Sequence, residues 1–289
     1  MSWRVVVVSK RCKLESRLGY LVCRGEETAR VYIPEISTLI VESTAVSLTA
    51  ALLGDLTDNK VNVVFCDGKH NPQSQLIPFY GRYDGSGKLA RQIGWRQEAK
   101  AAVWTEIIKN KILQQYNFLA ELGSDRAEML ADFTEGIETG DPSNREGHAA
   151  KVYFNTLFGM DFKRGDETFT NAALNYGYAI ILSAFNREIV SDGYSTQLGL
   201  CHRNEFNSFN LACDLMEPFR ILVDRCVFSN IFCENMTEYK RILQNLLNRE
   251  VKIDGQNRTA SDAVAVYCRS VFDALESGDE TKILFYTVK

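Results

Sequence analysis

Between His202 and Arg220 the chain reads H-R-N-E-F-N-S-F-N-L-A-C-D-L-M-E-P-F-R, the densest collection of chemistry-bearing side chains in the sequence. Asp214 and Glu217 are three residues apart, so on a helix they share one face. They sit among Leu211, Ala212, Leu215, Met216 and Phe219. An apolar run tolerates two acids only when something pairs with them. Pro218 denies a helix its bond to the carbonyl of residue 214 and predicts a kink there. A solvated acidic helix end is the other reading that this spacing allows.

On one straight helix His202 would lie about 22 Å from Glu217, at roughly 1.5 Å per residue, too far to share an ion. The chain must therefore bend between them. Asn207 or Ser208 is the expected N-cap of a helix starting near Phe209. A third acid from elsewhere would then complete a histidine-plus-carboxylate site, whose mixed ligation suits Mg²⁺ or Mn²⁺.

The elements that must position these groups fall into two textures, and the fold class expected is α+β: a small β-rich N-terminal domain followed by a larger all-helical C-terminal domain. The boundaries expected are 1–80 for the first, 81–90 for a linker and 91–289 for the second. Strands are predicted at Trp3 to Val8, Leu18 to Cys23, Ala29 to Ile33, Thr38 to Glu42 and Val61 to Cys66. Ser47 to Leu56 has helical spacing, and Asp67 to Gly87 reads as irregular chain. Helices are predicted over Lys88 to Leu122, Asp125 to Ile137, a stretch ending at Phe158, and Thr168 to Ile189. Ser143 and Glu146 have the spacing of a capping box. Gly147, Ala149 and Ala150 leave room for another helix to approach. Near the end, Val251 to Asn257 forms a small hairpin around Asp254-Gly255 in an otherwise helical stretch.

Hydrophobic content of 45% and charged content of 24% are those of a soluble globular protein. No apolar run approaches the roughly 20 residues of a membrane span, so a cytoplasmic location is expected. Eight cysteines include no C-x-x-C pair, which signals neither a structural zinc nor a disulfide framework. A net charge of −4 argues against non-specific coating of nucleic acid. Positive charge is nevertheless concentrated in one segment. Lys88, Arg91, Arg96, Lys100, Lys109 and Lys111 oppose only Glu98, Glu106 and Glu121, with Trp95 and Trp104 interleaved. Arg91, Arg96, Lys100, Lys109 and Lys111 are accordingly the expected DNA-backbone contacts.

Three motifs in order resemble one family. N-R-E-G-H-A-A-K-V-Y-F at 144–154, N-A-A-L-N-Y-G-Y-A-I-I-L at 171–182, and L-G-L-C-H at 198–202 running to D-L-M-E-P-F-R at 214–220 are similar to the integrase of CRISPR adaptation. This is the larger, catalytic subunit of the spacer-acquisition complex, and the first motif is most like the type II systems. V-S-L-T-A-A-L-L at 46–53 and V-N-V-V-F-C-D at 61–67 extend the resemblance over most of the chain.

The resemblance implies an N-terminal domain that dimerises and a helical domain that holds Mg²⁺ or Mn²⁺ through Glu146, His202 and Glu217, with Asp214 as a supporting acid. His148 should face away, and His70 is given no role. The implied activity is a metal-dependent endonuclease and integrase that joins prespacer 3′-hydroxyl ends to a CRISPR repeat by transesterification. The implied partners are double-stranded DNA, a second copy of the chain and a small ferredoxin-like adaptation subunit. A type II effector nuclease and a ring-shaped subunit that binds DNA ends complete the set. Such chemistry needs no covalent protein intermediate, in keeping with the lack of a placed Ser, Tyr or Cys nucleophile. Competing readings are a nuclease confined to branched or damaged DNA, and a non-catalytic dimeric DNA-binding scaffold.

Overall fold

The computed structural model describes residues 4–78, 83–233 and 235–288. Trp3, at the head of the first predicted strand, and the 79–82 stretch around the expected domain boundary lie outside the described residues. Strands β1 (Arg4–Val8), β2 (Lys13–Arg17), β3 (Tyr20–Arg24), β4 (Thr28–Tyr32), β5 (Ile36–Val41) and β6 (Ser47–Leu48) precede helix α1 (Ala50–Asp58). Strands β7 (Asn62–Cys66) and β8 (Pro72–Leu76) follow it. One sheet has the order β1-β5-β7-β8, with β1, β5 and β7 parallel; a second has the order β4-β3-β2-β6.

Strand β5 is buried along its whole length. Leu39 faces the N-terminal apolar core with Leu14, Leu21, Leu52 and Val63, whereas Ile40 joins the helical core. A strand covered on both faces reads as a continuous apolar run, the pattern of a central parallel strand. The sequence reading missed β2 because K-L-E-S-R has one buried position, Leu14. It also assigned β8 to irregular chain. P-Q-S-Q-L is polar because it pairs as an edge strand with β7 while Gln75 reaches inward.

The helical region comprises α2 (Gly85–Ile93), α3 (Gln97–Glu121), α4 (Ala127–Glu135), α5 (Arg145–Phe158), α6 (Phe169–Ser191), α7 (Asn210–Leu215), α8 (Arg220–Ser229), α9 (Met236–Gln244) and α10 (Ala260–Ser277). The predicted helix over Lys88 to Leu122 is two helices, broken at Gly94. The C-terminal region is not all-helical. Strands β9 (Glu250–Ile253), β10 (Gln256–Thr259) and β11 (Thr287–Val288) form a small antiparallel sheet, and the Asp254-Gly255 hairpin is its first half.

Helix α6 is buried at most of its positions and forms the spine of this region. A polar seam joins it to the β region: Asn62 Nδ2 donates to Ser183 Oγ at 2.9 Å, Gln75 Nε2 donates to the Ser183 carbonyl at 2.8 Å, and Arg187 Nη1 donates to the Ser37 carbonyl at 3.0 Å. Gly177 lets α8 approach α6, since a Cβ there would meet Val223 at 2.4 Å. Among the described residues no helix is long and apolar enough to cross a membrane.

Candidate active site

Three elements carry the predicted acids and histidine into one place. The first is the start of α5. Asn144 and Asp141 adopt positive φ, which Asn and Asp tolerate better than most residues. The Asp141 carboxylate accepts from the backbone N–H of Arg145 at 2.7 Å and of Glu146 at 3.0 Å. The expected capping box of Ser143 with Glu146 is therefore not formed; Asp141 caps the helix instead. This frees the Glu146 side chain to turn inward. The space beside Gly147 is filled by the side chain of Asn144 rather than by another helix.

The second element is the break at Pro218. Helix α7 ends at Leu215, Glu217–Phe219 makes one 3₁₀ turn, and α8 resumes. The kink is as predicted, but its effect is to separate the two acids that were expected to share a face. Asp214, fully buried, turns toward the loop that carries His202. Its Oδ2 accepts from the N–H groups of Leu200 at 2.6 Å and Cys201 at 3.1 Å, and its Oδ1 accepts from the His202 N–H at 3.2 Å and from the His202 ring at Nδ1. Gly199 is required there, because a Cβ would meet the His202 carbonyl at 2.5 Å and Asp214 Oδ2 at 2.7 Å. The helix after the loop begins at Asn210, close to the predicted start, but neither Asn207 nor Ser208 caps it: Phe209 holds the cap position with no side-chain bond, and the Asn207 side chain accepts from the Phe209 N–H at 2.9 Å.

The third element is α3, which contributes a residue assigned a different role from sequence. Lys111 is buried, and its ammonium lies between Glu146 Oε1 and Glu217 Oε2, the latter at 2.5 Å. Arg220 Nε holds the other oxygen of Glu217 at 2.9 Å. Burial alone would raise the Glu217 carboxyl; Arg220 and Lys111 reverse that and hold it at about 2. Burial would likewise strip the proton from Lys111, and Glu217 and Glu146 overcome it and raise its affinity. At His202 the hydrogen bond to Asp214 raises the imidazole's proton affinity against burial, and Glu217 and Glu146 act in the same direction. Trp104, on the same helix as Lys111, meets the His202 ring edge-on at 5.8 Å.

The expected DNA contacts on this segment fare unequally. Lys111 is not on a solvated face; its charge neutralises the two glutamates. Lys109 pairs with Glu106 at 2.8 Å, and Arg91 with Glu276 at 3.2 Å. Arg96 precedes α3 and packs its guanidinium against Gly278. Lys100 is half-buried and near Arg203. Trp95 and Trp104 are core residues. As expected, His148 turns away from Glu146, toward Phe133. His70 Nδ1 lies 3.2 Å from the Glu42 carbonyl.

Among the described residues no three His, Cys, Asp or Glu side chains stand as a formed ligand group. The donor chemistry nevertheless fits a divalent ion. Two carboxylates already share one cation, the Lys111 ammonium. The nearby imidazole commits Nδ1 to a buried carboxylate, the arrangement that leaves Nε2 for an ion and fixes the ring.

Comparison with known proteins identifies the family. The family model described as CRISPR associated protein Cas1 matches residues 5–247. The CRISPR-associated endonuclease Cas1 of Neisseria meningitidis serogroup C (strain 8013) is 33% identical over 272 residues, covering 91% of this chain and 89% of that protein. In fold, the chain is similar to a casposase bound to integration product, with a TM-score of 0.78 at 20% identity over 96% of this chain and 91% of that one. It is also similar to a chain of a Cas6-RT-Cas1–Cas2 complex, with a TM-score of 0.76 at 16% identity over 99% of this chain and 36% of that one. The order of the three motifs, the β region joined to a helical region, and these matches agree: the chain belongs to the Cas1 family of CRISPR-associated proteins.

Proposed function

We propose that this chain is a divalent-metal-dependent DNA endonuclease and integrase that joins prespacer 3′-hydroxyl ends to a CRISPR repeat. The observation that carries the reading is the meeting of Glu146 and Glu217 on one buried cation, beside a histidine oriented by Asp214. Such a concentration of ionised groups adds nothing that a packed apolar core would not supply more cheaply. Glu146, His202 and Glu217 would hold Mg²⁺ or Mn²⁺, with Asp214 in support. A bound ion supplies Lewis-acid polarisation of the phosphate and stabilisation of the leaving oxygen.

The chain's own residues do the rest. Asp214 fixes the imidazole and the backbone of Leu200 to His202. Arg220 holds Glu217 by one oxygen and leaves the other to Lys111, which also binds Glu146. Lys111 keeps the two carboxylates together and helps hold Glu217 ionised, and its positive charge would favour the negative charge that grows on a phosphate during in-line displacement. Attack by a DNA 3′-hydroxyl gives strand transfer, and attack by water gives cleavage. No side chain is needed as a covalent nucleophile.

The assembly proposed follows from family membership. Residues 1–80 dimerise, 81–90 link, and 91–289 carry the site. The partners are prespacer and repeat DNA, a small ferredoxin-like adaptation subunit and, in a type II system, its effector nuclease and ring-shaped end-binding subunit. The cytoplasm is the proposed location. The test is an integration assay with the adaptation subunit, a repeat-bearing plasmid, DNA ends carrying a 3′-hydroxyl, and Mn²⁺ or Mg²⁺. Strand-transfer products are expected. Hydrolysis alone would favour the nuclease reading, and neither product would favour the scaffold.

A further inference from the structure

His202 sits on the stretch 192–209, which has neither helix nor strand between α6 and α7. Such a stretch has no ladder to satisfy its backbone, so its path depends on what else binds its N–H and C=O groups. Asp214 takes the three N–H groups of 200–202. The four residues before Gly199 are held from a different direction. Gln92, next to the last residue of α2, is only 1% exposed. Its Oε1 accepts from the Ser195 N–H at 2.8 Å, and its Nε2 donates to the carbonyls of Ser195 at 2.9 Å and Leu198 at 3.1 Å. One carboxamide thus spends both amide protons and its oxygen on a single stretch of main chain. Between those contact points the Thr196 carbonyl accepts from the Leu211 N–H at 2.9 Å, and Asn210 Nδ2 donates to the Gln197 carbonyl at 3.2 Å.

Helix α2 does not need this grip in order to dock. Lys88 and Arg91 pair with Glu276 of α10 at 3.1 and 3.2 Å, and Lys88 Nζ donates to Tyr194 Oη at 2.9 Å. Gly193, at positive φ, lets the start of α2 come close: a Cβ there would meet Gly85 Cα at 3.4 Å. What the carboxamide adds is direction. The Leu198 carbonyl shares one rigid peptide plane with the Gly199 nitrogen, so holding the one holds the other. Gly199 in turn has no slack, packed as it is against the His202 carbonyl and Asp214 Oδ2. A shift of the Leu198 carbonyl would therefore pass through Gly199 to the N–H groups that Asp214 binds, and with them to the His202 ring.

We propose that Gln92 is a positioning residue of the candidate active site, acting through the Leu198–Gly199 peptide to set the His202 ring relative to Glu146 and Glu217. The inference rests on the metal reading given above and adds to it a residue whose side-chain bonds go to the main chain of 195–198. Outer partners of this kind orient a metal ligand without touching the ion, and losing one weakens the ion's hold more than it weakens the fold.

The test uses the full chain carrying Gln92→Met, which keeps the length of the side chain and gives up all three bonds. Two readouts need no turnover. By calorimetry, the Mn²⁺ affinity of DNA-free protein should fall about 10- to 100-fold, the range for losing an outer partner of a metal ligand. In metal-free protein with isotope-labelled imidazoles, the magnetic resonance signal of His202 should shift or broaden while those of the other two histidines, His70 and His148, stay in place. Glu276→Ala is the comparison, since it loosens α2 from α10 and leaves the bonds to 195–198 intact. It should lower the melting temperature yet keep the wild-type Mn²⁺ affinity and His202 signal. Gln92→Glu serves where Gln92→Met does not fold. It keeps the bond from the Ser195 N–H, sets a carboxylate oxygen against two carbonyls, and should move both readouts the same way. Wild-type Mn²⁺ affinity or an unmoved His202 signal in the folded variant would overturn the positioning role, as would equal changes in Glu276→Ala. If wild type binds no Mn²⁺, the metal reading fails, and Gln92 stands or falls on the His202 signal alone.

Discussion

Glu217 and Asp224 are both buried acids, seven residues apart across the end of α7 and the body of α8, and their proton affinities are shifted in opposite directions. Burial raises Asp224 to about 6, and a 2.5 Å hydrogen bond from the Tyr178 hydroxyl only partly offsets it. Glu217, in equal burial, is held at about 2 by Arg220 and Lys111. Arg220 stands between the two regions: it pairs with Glu217 and lies over the Tyr178 ring at 4.7 Å. The difference shows that hydrogen-bonded cations, rather than depth, decide which way a buried acid's proton affinity moves. One region concentrates charge, as a phosphoryl-transfer site requires. The other is a hydroxyl-lined brace behind it.

The largest effect that would sharpen this contrast is on activity. His202→Ala should reduce strand transfer and DNA cleavage together, by roughly a thousand-fold or more, since one ion would serve both reactions. The melting temperature should hardly move, because His202 is half exposed and Asp214 retains three backbone donors. Adding Glu217→Ala to this variant should cost little further activity, as for groups acting as a unit. A variant that melts early yet integrates at the wild-type rate would make His202 a structural residue.

Next comes the cation itself. Lys111→Met leaves Glu146 and Glu217 facing each other without their shared ammonium, and should cost about 3–5 kcal/mol in chelator-treated protein. Mn²⁺ should recover much of that loss in urea titrations, because an ion binding only the folded state stabilises it. An equal loss with and without Mn²⁺ would show that these carboxylates do not take an ion.

A pH series separates the two acids. The folded Asp224 carboxyl keeps its proton until about pH 6, whereas an unfolded one releases it near the ordinary value of 3.8. Stability therefore falls as pH rises from about 4 to 6, by on the order of 2 to 3 kcal/mol, and stays lower above that. Asp224→Asn should abolish this dependence. The depressed Glu217 acts in the opposite sense: its contribution is present above the ordinary carboxylate range and lost as pH falls toward about 2. A constant stability gap between wild type and Asp224→Asn over pH 4 to 7 would contradict the assignment.

The smallest effect lies on the solvated side of α3. Breaking the Lys109–Glu106 pair by Lys109→Ala should change stability by less than about 1 kcal/mol, measured by thermal unfolding in low salt, where such pairs count most. A larger loss would mean that α3 depends on its surface charge.

Much of the fold was legible because local patterns carried it: the apolar runs of β5 and β7, the long periodic helices, and the break at Pro218. Strands β2 and β8 were not, since polar strands with few buried positions look like loops until their partners are known. At the site, Asp214 and Glu217 were visible as acids in an apolar run, but not their divergence. Lys111 was misassigned for a different reason. Charge counting finds a basic helix without telling which lysine faces inward, and its partners lie 35 and 106 residues away. The capping role of Asp141 was hidden behind the equally plausible Ser143 and Glu146 spacing.

The way Asp214 holds the loop has an evolutionary consequence. Its carboxylate grips main-chain N–H groups of Leu200, Cys201 and His202, so the loop's path is written by an acid on another element and not by the loop's own side chains. Exposed positions 201 and 203 are thereby free to diversify without loss of the fold, whereas Gly199 and Asp214 are locked together. A combinatorial library randomised at 201 and 203 should return mostly folded proteins. One randomised at 199 should return glycine.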